Sequence, residues 1–450
     1  MVEPSSPAPP RAGADAPSRP AFDRRRAWLI TALIVTFMLI NYADKSVLGL
    51  AAVPIMDELG ISNSTYGLVS SSFALLFSLS GLIVGFASAR VSSRVLLFTM
   101  AALWAVAQLP VLFVASVPAL VAGRVLLGAA EGPAASMSMH ALYKWFPADR
   151  RGLPSALQIS GAALGTLIAA PVVTWLITGF GWRSAFAVLA VTSLVWSLVW
   201  WRVGHDGPYG EGRARRSRPA DGTARAALHT QRLPYRRLLL NGTVLGSIAA
   251  AFGGSWALAL SHAWLPVYLR TQLGMRPSTA ATLISAISAF SLVLLLAVPP
   301  LLDRLHRRGL SRRWSSGAPQ GIAVAVAALA MAALPVATGW AHIALLAVAF
   351  GGHAIVFPLH YMTASAVVPP PRRGAVFGIV AATGTLPGLI APYLTGRLLD
   401  SAASPGTGYD HAFLLSAAVM LACGLTALVA IRPERDARRL GVTEGTGPTP

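Results

Sequence analysis

Four charged residues stand within apolar stretches of this 450-residue chain, where charge is costly. Asp44 and Lys45 interrupt one apolar run, and Arg124 and Glu131 interrupt another. A charge at the centre of a membrane helix costs about 2.5–3.5 kcal/mol on insertion scales, so such residues usually line a cavity or find a partner. Burial favours protonated carboxyl groups, and nearby cations oppose this. We therefore predict that Asp44 and Glu131 exchange protons, and that Lys45 and Arg124 bind an anionic substrate or modulate the acids.

A simpler interpretation is that each acid only pairs with a neighbouring base and locks two helices together. Two acids and two bases in one half of the chain favour a shared site over this alternative. Arg124, Gly128 and Glu131 are four and three residues apart, which places them on one stripe of a helix. Gly128 and Gly132 would let a second helix approach closely.

Weaker candidates are the histidines of the later apolar runs. His262 and His360 lie in two of these runs, and Tyr361 follows His360 directly. Each is a candidate for substrate binding, although a single intramembrane histidine more often packs or hydrogen-bonds between helices.

Composition explains which elements must position these residues. The chain is 55% hydrophobic and only 12% charged, against about a quarter charged in ordinary globular proteins. The apolar residues cluster into runs of about 20, the length of a membrane-spanning helix, so a water-soluble enzyme is excluded. Backbone groups in lipid must be paired within their own segment, so we predict an all-α membrane protein with twelve spans. These are expected at 27–56, 65–89, 95–115, 118–142, 153–178, 184–203, 238–268, 279–302, 318–338, 341–368, 375–399 and 411–431.

We attribute the net charge of +19 to the orientation of the chain in a membrane and not to binding of nucleic acid. Thirty of the 36 basic residues fall in the tails and in alternate loops, which the positive-inside rule assigns to the cytoplasm together with both termini. The predicted organisation is a disordered tail at 1–26, six-helix halves at 27–203 and 238–431, a basic loop at 204–237 and a cytoplasmic tail at 432–450.

The two halves carry similar short motifs at corresponding positions. Arg150-Arg151-Gly152 opens span 5, and Arg372-Arg373-Gly374 opens span 11. Pro171 and Pro392 follow at matching depth. Both halves begin on the same side, so the repeat is parallel, and parallel six-helix halves around a midplane site describe the major facilitator architecture. A channel is the structural alternative, but no loop resembling a selectivity filter is visible.

Five segments of the chain carry a family resemblance. They are Asn41-Tyr42-Ala43-Asp44-Lys45, 124–133, Trp145-Phe146-Pro147 through Gly152, Gly181-Trp182-Arg183 and 264–269. These segments resemble the major facilitator superfamily, and within it the anion:cation symporter family of bacterial hexuronate, galactonate and other organic-anion carriers. The resemblance covers nearly all of 27–431. It implies proton coupling at Asp44 and Glu131, and it adds Tyr42, Gln158 and Thr385 as substrate-binding candidates.

Three departures from the family pattern bear on function. Lys45 stands where Arg is more common, and Lys lacks the planar fork for bidentate carboxylate binding. Thr385 stands where sugar-acid carriers often have Asn, which weakens the expectation of a sugar-acid substrate. In the loop after span 2, Ala89 and Ser92 replace an expected Asp and Gly.

The substitutions at Ala89 and Ser92 change which residues we expect to form the gate. Arg90 and Arg94 remain in the loop after span 2, and Asp303 with Arg304 keeps an acid in the equivalent stretch after span 8. We therefore expect gating by these four residues, with a larger contribution from the C-terminal half.

The predicted function is uptake of a small organic anion, expected to be a carboxylate, by H⁺-coupled symport and alternating access. A proton-antiporting exporter of a drug or secondary metabolite is the alternative, and a receptor-like or structural membrane protein is a third class. The driving force is a proton gradient, with no cofactor or metal, and the single Cys423 excludes an intramolecular disulfide. Arg outnumbers Lys 34 to 2, which indicates a bacterial genome and hence the plasma membrane, where a monomer is expected.

Overall fold

A computed structural model describes residues 22–88, 90–147, 150–209, 234–369 and 372–441. Their regular secondary structure is entirely helical, without strands. Ala89, most of the predicted basic loop (210–233) and the outer parts of both predicted tails (1–21 and 442–450) lie outside these residues.

The described residues of the first half form nine helices, which we number in chain order. They are α1 (Arg24–Leu50), α2 (Ala52–Leu59), α3 (Asn63–Ser72), α4 (Ala74–Ala87), α5 (Ser93–Phe113), α6 (Val117–Glu131), α7 (Ala134–Tyr143), α8 (Gly152–Phe180) and α9 (Trp182–Val203).

The part of the second half that the structure describes forms eleven more, with short 3₁₀ or π turns at Arg313–Gly317, Leu334–Val336 and Gly352–Ile355. They are α10 (Tyr235–Leu239), α11 (Gly242–Ala263), α12 (Leu265–Thr271), α13 (Pro277–Arg307), α14 (Ala318–Ala333), α15 (Gly339–Gly351), α16 (Val356–Val367), α17 (Arg373–Gly384), α18 (Leu386–Ser401), α19 (Pro405–Ala430) and α20 (Pro433–Arg439).

Within the described residues, eleven helical segments are long and apolar enough to cross a membrane. The one predicted span not among these segments, the fourth at 118–142, is divided into α6 and α7 at Gly132 and Pro133. Proline has no backbone N–H to donate and its ring collides with the preceding turn, so the α-helix is interrupted here. Each of the two pieces is shorter than the roughly 20 residues that span a bilayer core.

Short polar side chains fix where several helices begin. Each accepts a hydrogen bond from the backbone N–H three residues later, which pairs one of the free donors of the first turn. The residues that do so are Ser62, Ser92, Ser116, Asn241 and Ser404.

Packing differs between the two ends of the bundle. We call the end that carries 57–64, 181–183, 270–276 and 400–405 the arginine-poor end, and the opposite one the arginine-rich end. At the arginine-poor end, one apolar cluster includes residues of both halves, such as Ile55, Tyr66 and Tyr409. Towards the arginine-rich end, one cluster contains N-terminal residues alone (27–200) and another contains C-terminal residues alone (238–380). The halves are thus joined mainly at the arginine-poor end.

The boundaries of the predicted tails and loop differ from the structure. Helix α1 begins at Arg24, inside the predicted tail, because Asp23 accepts a hydrogen bond from the N–H of Arg26. The predicted loop ends within α10. The predicted C-terminal tail contains α20, which is held to the C-terminal half by the buried carboxylate of Asp436 and its hydrogen bonds from Thr243.

Candidate functional site

The four charged residues predicted from the sequence come together between α1 and α6. The Nζ of Lys45 lies 3.4 Å from Oε2 of Glu131. The guanidinium of Arg124 donates to the backbone carbonyl of Asp44, with Nη1 and O 3.3 Å apart. Asp44, Arg124 and Glu131 are 0%, 5% and 1% exposed, so their charges interact with little screening by water. The formal charges of the two acids and two bases cancel.

Two glycines near Glu131, Gly128 and Gly132, lie against the backbone of other helices. A Cβ at Gly128 would collide with the carbonyl oxygen of Phe73, and one at Gly132 would collide with that of Phe77. Backbone contact of this kind requires residues without side chains. Helix α6 therefore lies directly against α3 and α4, as the spacing predicted.

Two neutral amides that the sequence analysis did not identify complete the cluster. The Nε2 of Gln108 on α5 donates to Oδ1 of Asp44 over 2.9 Å, and Gln108 is 3% exposed. The side chain of Asn41 accepts from Lys45 over 2.6 Å, one helical turn away. A single Gln within an apolar span was the available signal for Gln108, and the i,i+4 spacing to Lys45 was the signal for Asn41.

Tyr42 and His262 connect the cluster to the opposite half. The Nζ of Lys45 lies 4.3 Å from the centre of the Tyr42 ring, within cation–π range. The Tyr42 and His262 rings have centroids 6.4 Å apart. Helices α1 and α11 meet where Gly49 touches the backbone of His262, and a Cβ at Gly49 would collide with that carbonyl.

Three other candidates lie away from the charged cluster. Gln158 donates to Ser138 (2.8 Å) and to the carbonyl of Ala135 (3.3 Å), and so fastens α8 to α7. His360 and Tyr361 lie together on α16 with ring centroids 3.9 Å apart. The Nδ1 of His360 pairs with a carbonyl of its own helix. The structure thus gives these three residues packing partners and does not bring them to the acids.

Thr385 lies at the break between α17 and α18. Its hydroxyl hydrogen-bonds with Ser78 of α4, in the opposite half, and donates to the carbonyl of Ala382 over 2.9 Å. This predicted binding residue is therefore a contact between the halves.

The predicted gating residues make local contacts. Arg90 and Arg304 are exposed. Arg94 donates to the carbonyl of Trp201 and covers its ring at 4.5 Å. Asp303 pairs with Arg307 on the same helix over 3.0 Å. Within the described residues, none of these contacts joins the halves.

Acids that the sequence analysis did not identify hold helix starts at the arginine-rich end. Asp206, just after α9, accepts from the N–H of Ser93 (3.1 Å) and pairs with Lys144 (3.2 Å). Glu434, just after α19, accepts from the N–H of Arg313 over 3.1 Å. Corresponding places in the two halves therefore have similar carboxylate caps.

A third such acid joins the halves at the arginine-poor end. The carboxylate of Asp400, on α18, accepts from the backbone N–H groups of Asn63 (3.1 Å) and Ser64 (2.7 Å). The side chains of the same two residues also donate to it, at 2.9 and 2.5 Å. Because this carboxylate belongs to the C-terminal half and α3 to the N-terminal half, we call the contact the Asp400 latch.

Further contacts close the same end. The hydroxyl of Tyr66 donates to the carbonyl of Ala263 (2.9 Å), and the indole of Trp264 donates to that of Pro392 (2.9 Å). A cavity of about 270 Å³ lies beside the latch, lined by residues of both halves that include Val53, Asn63 and Tyr409.

Glu58 makes a contact of a different kind at this end, within one half. It binds Arg183 over 2.6 Å and accepts from the indole of Trp182 over 2.7 Å. The hydrogen bonds from Arg183 and then Trp182 lower the pKa of Glu58 to about 2. Glu58 is therefore ionised at any pH at which transport is measured.

Apolar membrane-length helices in two joined halves, around buried acids and bases, define a multi-pass membrane transporter. The family model "Major Facilitator Superfamily" matches residues 34–392. The chain belongs to this superfamily.

Several proteins that are similar in sequence to this chain are named as transporters of organic anions. It is 25% identical to the hexuronate transporter of Bacillus subtilis (strain 168), over 88% of this chain and 92% of that protein. It is 27% identical to the D-galactonate transporter of Escherichia coli O6:H1, over 95% and 100%. A probable sulfoacetate transporter of Cupriavidus necator is 26% identical, over 90% and 94%. These matches confirm the predicted family resemblance and a transporter rather than an enzyme.

The fold agrees with that of solved carriers. A D-xylose–proton symporter superposes with a TM-score of 0.73 at 16% identity, over 91% of this chain and 99% of that one. A bacterial homologue of the human lysosomal transporter Spinster, in an inward-facing and unoccupied conformation, gives 0.69 at 16% identity, over 93% and 98%. At such identities the likeness concerns the fold alone.

Proposed function

We propose that this protein imports a small organic anion together with protons, by alternating access across a bacterial plasma membrane. The observation that carries the proposal is the buried cluster of Asp44, Lys45, Arg124 and Glu131. Its charges cancel, so an anion can enter with little energetic penalty only if the cluster gains positive charge. Protonation of one acid supplies that charge, which links substrate binding to proton uptake.

The class of substrate follows from the names of the relatives. Hexuronate, galactonate and sulfoacetate each carry at least one carboxylate, and the relatives named for them span nearly the whole chain. In the proposed site, Lys45 would contact the substrate carboxylate as a point charge, beside Tyr42 and His262. Thr385, which joins Ser78, would influence how the halves close.

The direction of access follows from charge and packing together. Thirty of the 36 basic residues fall in the tails and in alternate loops, which favours the arginine-rich end as the cytoplasmic one, with both termini there and twelve crossings in all. The two halves share an apolar cluster at the arginine-poor end. We therefore interpret the described conformation as closed towards the outside, and the outward-open conformation requires the Asp400 latch to break.

Transport by purified protein in liposomes tests this function. Proteoliposomes with a trapped pH-sensitive dye are given an inward proton gradient and, in turn, a hexuronate, D-galactonate or sulfoacetate. We expect one of these anions to enter with protons and to accumulate by about tenfold per coupled proton for each pH unit of gradient, since a pH unit corresponds to about 1.4 kcal/mol.

A variant of Glu131 serves as the coupling test in the same liposomes. In Glu131→Gln, the anion should exchange across the membrane without proton-driven accumulation. Accumulation that persists in this variant would contradict coupling at Glu131. Exit of an organic compound against an entering proton would instead support the antiporting exporter.

A further inference from the structure

The two buried acids of the cluster have different partners. Glu131 lies 3.4 Å from the ammonium of Lys45. The carboxylate of Asp44 has one hydrogen-bond donor among the described residues, the neutral amide of Gln108. The other oxygen of this carboxylate, Oδ2, is buried without a hydrogen-bond partner in the same set of residues.

We propose that Gln108 is a positioning residue for Asp44, and that its amide holds this acid in both protonation states. This inference rests on the proposed proton coupling and adds Gln108 to the proposed site. A carboxamide has a donor side and an acceptor side. Nε2 donates to the ionised carboxylate, as observed, and after reversal of the amide Oε1 accepts from the protonated acid.

The surroundings of Gln108 suit this role. It is 3% exposed on α5, a helix that contributes no charged residue to the cluster. The charged groups nearest Asp44 are Lys45 on its own helix and Arg124 and Glu131 on α6. The titratable ring of His262 on α11 approaches the neighbouring Tyr42. Arginine or lysine at position 108 would favour only the ionised form of Asp44, whereas an amide serves either form without adding charge.

The consequence is a division of work between the acids. Asp44 can gain or lose a proton while its position stays fixed, because Gln108 replaces one hydrogen bond with another. Glu131 faces Lys45, so protonation of Glu131 would free the ammonium for a substrate carboxylate. A fixed position matters because a buried acid without any partner would bear the full desolvation penalty when ionised.

The test measures protonation of Asp44 directly and requires no substrate. The full chain in lipid nanodiscs is titrated while the infrared C=O stretching band of protonated carboxyl groups is recorded, and Asp44→Asn identifies the Asp44 component. We compare Gln108→Met, which keeps the length of the side chain, with Gln320→Met. Gln320 is a matched control because it is buried in α14 and its described hydrogen bonds go to Thr363 (3.0 Å) and a backbone carbonyl, not to an acid.

In Gln108→Met, the pH at which Asp44 loses its proton should move up by about one unit, because hydrogen bonds to a charged acceptor are roughly twice as strong as neutral ones. The band of the protonated acid should also move to higher frequency, since that form loses its contact with the amide. Gln320→Met should change neither quantity. An unchanged midpoint and band in Gln108→Met would overturn the proposal.

A second variant covers the case in which Gln108→Met does not fold. Gln108→Glu has the same shape and places a second carboxyl group beside Asp44, so the two acids should share a proton and keep it to higher pH. A titration identical to that of the wild type would overturn the role of Gln108. Because the proposed symport is measured separately in liposomes, its failure would appear there and leave the Gln108 titration to be judged alone.

Discussion

The two halves share a fold but differ in what they bury between their helices. The N-terminal half buries Asp44, Arg124 and Glu131, with Lys45 partly buried beside them. Apart from Asp436 in α20, the buried polar residues described in the C-terminal half are hydroxyl side chains, the amide of Gln320 and histidines such as His353 and His360. The difference suggests that the N-terminal half carries the proton chemistry and that the C-terminal half supplies a neutral wall and the closing contacts.

The first prediction, with the greatest expected effect, compares loss of an acid in the N-terminal half with loss of a histidine in the C-terminal half. Asp44→Asn should lower proton-driven accumulation of the anion to a ratio of about one, because its protonation no longer changes charge. The native His360 ring hydrogen-bonds to a carbonyl of its own helix, so His360→Gln should accumulate the anion to the wild-type ratio and change at most the KM. Accumulation ratios in liposomes with an imposed pH gradient check both. Loss of coupling in His360→Gln would end the assignment of proton chemistry to one half.

The next prediction concerns stability of the charged cluster. Lys45→Met leaves Glu131 buried beside no ammonium, and removal of one partner of a buried ion pair costs about 3–5 kcal/mol. We expect a lower Tm in detergent at pH 8 and a smaller loss at pH 5, where the carboxyl group can be protonated. The double variant Lys45→Met/Glu131→Gln should recover most of the stability. If the double variant is as unstable as the single one, the loss comes from packing and not from unpaired charge.

The smallest expected effect concerns the Asp400 latch, the main polar contact of the C-terminal half with α3. Asp400→Asn replaces an anionic acceptor by a neutral group, and hydrogen bonds to charged groups are worth about 1.5–3 kcal/mol before the discount for exposure. The halves should therefore separate several-fold more often at the arginine-poor end. A Val53→Cys reporter in a Cys423→Ser background would show faster labelling by a membrane-impermeant maleimide.

Glu58→Gln is the matched control for the latch. Glu58 lies at the same end but binds Arg183 of its own half, so labelling of the Val53→Cys reporter should stay at the wild-type rate. Its pKa of about 2 keeps the native side chain ionised at every labelling pH. Equal labelling rates in the Asp400→Asn and Glu58→Gln proteins would show that Asp400 does not control the opening.

The class of protein and the central charged residues could both be predicted from the amino-acid sequence. Runs of apolar residues reveal membrane helices because lipid leaves backbone groups no other partner, and charge in such runs is rare enough to mark Asp44, Lys45, Arg124 and Glu131. These signals are local in the chain, so the amino-acid sequence is sufficient to find them.

The tertiary structure decided which partner each charge has. It assigned Lys45 to Glu131 and Gln108 to Asp44, and it placed Gln158 and His360 among packing contacts away from the acids. It also revealed the Asp400 latch, whose partners are more than 330 residues apart in the chain. Hydrogen bonds and ion pairs depend on distances of a few ångströms between helices, and the spacing of residues along one helix does not determine them.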